Sequence, residues 1–454
     1  MYKKNAWKKY NGDYKAIFDF NEGYKTFITN GKTERLAVNE TLKLAKEKGF
    51  QDIRELKTLN KGDKVYVTNM NKNVALFVIG EKPLTEGLRI LGAHIDSPRL
   101  DLKQNPLYES DNFALLDTHY YGGVKKYQWV TIPLSLIGVV CKKDGTIIDV
   151  CIGEDDNDPV VGITDLLPHL AQDQMQKTGA KLIEGEDLDV NIGSIPLMDE
   201  EKEAVKRNIL QLLLDHYGFE EEDFLSAEIE VVPSGKARDF GLDRSMVLGY
   251  GHDDRVCAYT SLMAILDVED VEYTSCCILV DKEEIGSVGA TGAQSLFFEN
   301  TIAELLHLAG DDSFLSLRKT FTNSMMLSSD VSAGFDPLYK SVNEPKNSAY
   351  LGNGIVFNKY TGSRGKGGSN DANPEYIAKL RKIMDESDIY FQTAELGRVD
   401  QGGGGTIAYI LGNYNMNVID AGIAVLNMHA PYEIVSKVDV YEGYLAYKTF
   451  LLKA

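Results

Sequence analysis

Two short stretches, VALFVIG and LRILGAHID, are apolar at nearly every position, and that leaves few folds open. A strand wetted on one face alternates apolar and polar residues, whereas one without alternation belongs in a sheet covered on both faces. The second stretch stops at Asp96-Ser97-Pro98, and proline cannot continue a ladder. YTSCCILV reads as a strand further along, and MMLSSDV and GIAVLNM as further strands. Between and after them, HDDRVCAYTSLMAILD, TGAQSLFFENTIAELLHLAG and VDVYEGYLAYKTFLLKA carry helical spacing, as does TERLAVNETLKLAKEKGF within a helical reading of residues 1–60. Buried strands alternating with helices predict an α/β protein.

The rhythm is interrupted. From about residue 98 to 240, β-rich pieces such as YQWVTIPLSLIGVV and GTIIDVCIG alternate with acidic loops such as EDDNDPV, around one strong helix, EKEAVKRNILQLLLDHYG. The reading is an α/β domain built from residues 1–97 and 241–454, with a β-rich insertion over 98–240. No internal repeat is visible. The glycine clusters Gly362–Gly368 and Gly402–Gly405 are loops, and neither is a phosphate loop, because Gly365-Lys366 is followed by Gly367 instead of Ser or Thr.

Composition narrows the partners. With 48 Lys and Arg against 68 Asp and Glu, the net charge of −20 repels nucleic-acid backbones and anionic membranes. The opening MYKKNAWKKYNGDYKAIFDF is charged and aromatic, and is read as neither a secretory signal nor an anchor; no apolar run is long enough to span a membrane. Five cysteines without CxxC spacing point to reduced thiols in a cytoplasm, with the adjacent Cys276 and Cys277 facing opposite sides of a strand as core residues.

Titratable residues gather where the strands end, which is where open α/β sheets build sites. His94-Ile95-Asp96 closes LRILGAHID and could place a carboxylate behind an imidazole; taken alone it also reads as a strand-end histidine with a solvated Asp. Asp253-Asp254-Arg255 opens a helix, where one acid commonly caps. Asp281-Lys282-Glu283-Glu284 follows YTSCCILV directly, as a metal arm or a charged turn. Asp330 and His429 are each the first titratable side chain after an apolar run. Together they satisfy a ligand count. His94, Asp330 and a shared Asp254 would serve one divalent ion, and Glu284, His429 and the same Asp254 a second, leaving Glu283 as a general base. Three carboxylates and a bridging hydroxide balance two such ions. Spacing alone does not select these five from the acids available.

With those residues in view, the chain resembles the aspartyl aminopeptidase family of dinuclear zinc metallopeptidases, in its bacterial branch. The resemblance rests on GAHIDSPRLDLK, PHLAQDQMQK, GHDDRVCAYTSL, DKEEIGSVGATGAQS, SSDVSAGFDPLY and NMHAPYEIVSKVD, which run in family order from about residue 90 to 440. It implies a three-layer α/β zinc-peptidase-like catalytic domain with an inserted β-rich dimerisation domain. It implies His94, Asp254, Glu284, Asp330 and His429 as metal ligands, Asp96 orienting His94, and Glu283 as the base. His169 in PHLAQ matches a histidine of the inserted domain that reaches a neighbouring subunit's site; a packed helix histidine is the plainer reading. Two ions per subunit, zinc first and cobalt or manganese next, and a homo-oligomer, a dodecamer, follow from the same source. Better-known members carry histidines after the aspartate, where this chain has Val331, Ser332, Ala333 and Asp336. The resemblance therefore implies the metal chemistry and leaves the preferred N-terminal residue open.

The expected activity is a cytoplasmic metal-dependent aminopeptidase that removes N-terminal residues from peptides. A dinuclear amide deacylase on the same scaffold would keep the same residues, and a non-catalytic assembly protein would have no need of them.

Overall fold

The computed structural model describes residues 4–454; Met1–Lys3, the start of the segment read as neither signal nor anchor, lie outside the described residues. The chain divides into two compact units, one of Met1–Asp96, Ala237–Met428 and Glu433–Ala454, the other of Ser97–Lys236 with His429–Tyr432.

The first unit is built on a nine-stranded sheet. Its centre is four parallel strands in the order Ser275–Val280, Arg89–His94, Met325–Ser328 and Asn417–Gly422. Asn73–Val78 and Lys64–Asn69 extend it on one side, and Ile355–Asn358 and Phe391–Thr393 on the other. Asn73–Val78, Arg89–His94 and Ser275–Val280 are buried at every position, which is why their sequences do not alternate.

Two apolar layers cover the sheet. One packs the helices Lys15–Asn30, Glu34–Glu47, His252–Leu266, Pro374–Glu386 and Lys437–Lys453 through residues such as Phe27, Val38, Leu262, Leu380 and Tyr447. The other packs Phe297–Leu308 and Phe314–Thr322 through Ile302, Leu305 and Phe321. Cys276 joins one layer and Cys277 the other, as adjacent residues of a strand must. Local chemistry sets the helix ends. Thr33 accepts from Leu36 N–H at 3.3 Å to cap one helix, and Pro374 opens another where its missing N–H costs nothing. His252–Leu266 is buried at every residue except Met263, so its apolar side chains are spread around the helix instead of along one stripe. Its first turn is irregular: Asp253 and Asp254 have non-helical backbone angles and are joined by a cis peptide bond.

Three expectations are refined. VALFVIG and LRILGAHID are successive in sequence but not neighbours in the sheet, because Ser275–Val280 lies between their strands. Lys64–Asn69 is a further strand, paired with Asn73–Val78. GIAVLNM is not one strand of the large sheet. Gly422 ends the strand there, and Ala424–Leu426 belongs to a separate five-stranded sheet with Glu433–Ser436 and Met246–Gly249. The switch occurs where the backbone passes Asp330, since a Cβ on Gly422 would lie 1.8 Å from the Asp330 carbonyl oxygen.

The second unit is a six-stranded antiparallel sheet in the order Ile147–Ile152, Leu134–Cys141, Ala227–Pro233, Arg99–Ser110, Phe113–Tyr121 and Val190–Gly193. Its helix Ala204–Tyr217 ends at Gly218, whose φ of +76° suits glycine and whose N–H donates to Leu214 O at 2.9 Å. Among the described residues no helix is long and apolar enough to cross a membrane.

Candidate metal centre

The parallel register decides what meets at the sheet's carboxyl edge. His94 pairs with Val280, and Gly92 with Ser328, so His94, the segment after Val280 and the segment after Ser328 emerge side by side. The irregular start of the helix His252–Leu266 brings Asp253 and Asp254 to the same place.

His94 is the hub, and it is fully enclosed. Its Nδ1 lies 3.1 Å from Asp96 O and 3.2 Å from Asp96 Oδ1, which fixes Nδ1–H as the donor and turns Nε2 the other way. Nε2 faces Asp253 Oδ1 at 3.2 Å, with Glu283 Oε2 at 3.9 Å. The His94 backbone N–H donates to Asp254 Oδ2 at 3.3 Å. Asp96 binds the neighbouring arm as well: its two oxygens accept from Glu283 N–H and Glu284 N–H, each at 3.1 Å. Asp253 N–H donates to Glu433 Oε2 at 3.0 Å, and the buried His252 bonds Tyr24 OH through Nδ1 and faces Val247 O at 3.2 Å through Nε2.

Two donor sets result, His94 with Asp253 and Glu284, and His94 with Asp254 and Asp330, each with ligand atoms within 4.8 Å of one another. One histidine and two carboxylates make a mixed nitrogen and oxygen set of the kind zinc takes. The electrostatics fit a cation too. Burial, then repulsion from Asp254 and Glu283, pushes the Asp330 carboxyl far above the usual range. Burial likewise raises Asp254 against the pull of His94, and Asp254 Oδ1 has no hydrogen-bond partner among the described residues. Burial alone would lower His94, but its bonds to Asp253 and Asp96 outweigh this and hold the imidazole well above its ordinary range. So many enclosed acceptors are costly without positive charge between them.

Of the residues singled out from sequence, His94, Asp254, Glu284 and Asp330 fall within these sets, and Asp96 and Glu283 lie against them. His429 belongs to neither set; it sits in a left-handed turn (φ +66°) with Nδ1 2.9 Å from Gly123 O. His169 is exposed in a turn of the second unit and not packed in a helix. Sequence reasoning passed over Asp253 in favour of its neighbour. Either acid suits a helix start, and only the backbone path shows which one faces Nε2.

The M18 family of aminopeptidase I zinc metalloproteases matches residues 27–451. A probable M18 family aminopeptidase 1 of Clostridium acetobutylicum is 61% identical over 99% of this chain and 98% of its own length. An M18 family aminopeptidase structure from Thermotoga maritima superposes with a TM-score of 0.97 at 44% identity, covering 100% of both chains. An aminopeptidase I structure from Clostridium acetobutylicum gives 0.94 at 58% identity over 99% of each.

Proposed function

The chain belongs to the aminopeptidase I zinc metalloprotease (M18) family and is a metal-dependent aminopeptidase, and we propose that it works through two metal ions held at the sheet edge around His94, with Glu283 as the general base. The observation that carries this reading is the double hold on His94: Asp96 fixes Nδ1 while Nε2 faces Asp253. Zinc is the preferred ion, and cobalt and manganese suit the same mixed shell.

His94 and Asp330 would serve one ion, and Glu284 and His429 the other. The acidic pair supplies the shared ligand. We assign that role to Asp253, whose Oδ1 faces Nε2, and not to Asp254, which spends one oxygen on the His94 backbone. His429 is assigned to the second ion by the sequence resemblance alone. Bound ions would polarise the scissile carbonyl and acidify the attacking water. Glu283, held by its backbone to Asp96 but outside both donor sets, takes that water's proton and hands it to the leaving amine. Asp253→Asn should therefore bind less zinc than wild type, and Asp254→Asn should lose less; elemental analysis of the purified variants checks this, and the reverse order would return the shared role to Asp254.

A panel of aminoacyl-nitroanilides set against N-acyl amino acids tests the activity. The expected outcome is cleavage of the first and none of the second; the opposite pattern would mean a deacylase.

The second unit serves in a homo-oligomer, with the dodecamer as the size that the sequence resemblance implies. Leu166, Leu167, Leu170 and Met175 are large apolar side chains exposed along one segment of it, as a surface that meets another copy requires. His169 lies in that segment and is assigned to a neighbouring subunit's site. His169→Ala should lower turnover with metal content unchanged, and reassembly with Glu283→Gln should recover activity in mixed sites. An active monomer in sedimentation would end this role. Among the described residues none of the five cysteines forms a disulfide, which agrees with a cytoplasmic setting.

A further inference from the structure

Arg255, one residue beyond the acidic pair, has no place in the mechanism above, yet it is among the largest fully buried side chains. Among the described residues no carboxylate lies within ion-pair distance of it, and its Nη1 and Nη2 make no hydrogen bond. Its guanidinium lies 5.2 Å from the centroid of the Tyr250 ring. Its directed bond is from Nε to Ile95 O, at 3.1 Å. A buried cation is costly to keep, and one retained for packing alone could be a methionine.

The bond's target is informative. Ile95 is the residue between His94 and Asp96, and its N–H donates to Val280 O at 2.9 Å. Ile95 is thus held on both sides of its Cα, by the sheet through its N–H in the peptide shared with His94, and by Arg255 through its C=O in the peptide shared with Asp96. That peptide sets the step from the strand to Asp96, which holds the His94 ring and both glutamate amides.

We propose that Arg255 is a positioning residue for the metal centre, fixing the Ile95 carbonyl so that Asp96 can aim His94 and the Glu283-Glu284 arm together. This rests on the metal-centre reading given above. The planar guanidinium matters and not only the charge, because a lysine ammonium cannot place a donor at Nε while its charge lies over the Tyr250 ring.

The test is Zn²⁺ affinity, measured by competition with a chromophoric chelator, for wild type, Arg255→Lys, Arg255→Met and Asp96→Asn. Loss of an outer partner of a metal ligand typically weakens binding about 10–100-fold, and both Arg255 variants should fall in that range. Arg255→Lys keeps the buried charge, so it remains informative where Arg255→Met fails to fold. Combining Arg255→Lys with Asp96→Asn should cost less than the two losses multiplied, because both act through one arm. Native Zn²⁺ affinity in the Arg255 variants would overturn the proposal, as would a lowered melting temperature of the metal-free protein with affinity unchanged. Fully multiplicative losses in the double variant would overturn it as well. Absence of Zn²⁺ binding by the wild type would instead bring down the metal-centre reading itself.

Discussion

Replacing Glu283 with glutamine should give a protein that keeps its metal and loses its turnover. Glu283 and Glu284 are adjacent and both donate their backbone N–H to Asp96, so a plain charged turn would treat them alike. The structure separates them: a carboxylate oxygen of Glu284 falls within a donor set, and Glu283 belongs to neither. Glutamine keeps the size and the backbone bond of Glu283 but cannot accept the water's proton. Loss of a general base costs about 10²–10⁴-fold in rate, and the loss should fall on kcat more than on KM. Glu284→Ala should behave in the opposite sense, with metal content down by elemental analysis and activity falling in step. Near-normal kcat for Glu283→Gln would place the base elsewhere. Equal metal loss in both variants would mean the two glutamates share one role.

Exhaustive chelation should abolish hydrolysis altogether, and added Zn²⁺, Co²⁺ or Mn²⁺ should restore it. The loss should steepen in acid, and the sign follows from the site. Asp254 and Asp330 are pushed up mainly by burial, and His94 is held up by Asp253 and Asp96 against its burial, so the metal-free site holds protons that a bound ion must displace. Metal affinity therefore rises with pH and falls as pH drops, by about tenfold per pH unit for each proton displaced. Activity titrated against free Zn²⁺ at several pH values measures that slope. Full activity with no metal found by elemental analysis would remove the dinuclear mechanism.

What could be read from sequence, and what could not, divides along a physical line. LRILGAHID and YTSCCILV were legible because burial on both faces abolishes alternation, and the strands Arg89–His94 and Ser275–Val280 lie within them. The helix His252–Leu266 was legible from its length and its acidic start. The gathering of His94, Asp254, Glu284 and Asp330 followed from those ends, because parallel strands in register deliver whatever comes after them to one edge. Lys64–Asn69 was not picked out, since a short strand beside a hairpin turn carries little period. Nor was the break at Gly422, which depends on a close approach of backbone from a segment ninety or so residues earlier in the chain. The choice between Asp253 and Asp254 hangs on a local backbone path that composition does not encode. Arg255 reads as an ordinary helix residue until its one carbonyl partner is seen.

The pair Cys276 and Cys277 gives the molecule a built-in clock. Each sits, fully enclosed, in a different apolar layer on opposite sides of one central strand. Cys257 is enclosed as well, whereas Cys151 is exposed. A thiol reagent should therefore label Cys151 at once and the two strand cysteines only when the sheet itself opens. If both layers part in a single event, the two strand thiols will react at the same rate. If one helical layer peels away first, its thiol will react ahead of its neighbour, and the order will name the weaker side of the sheet.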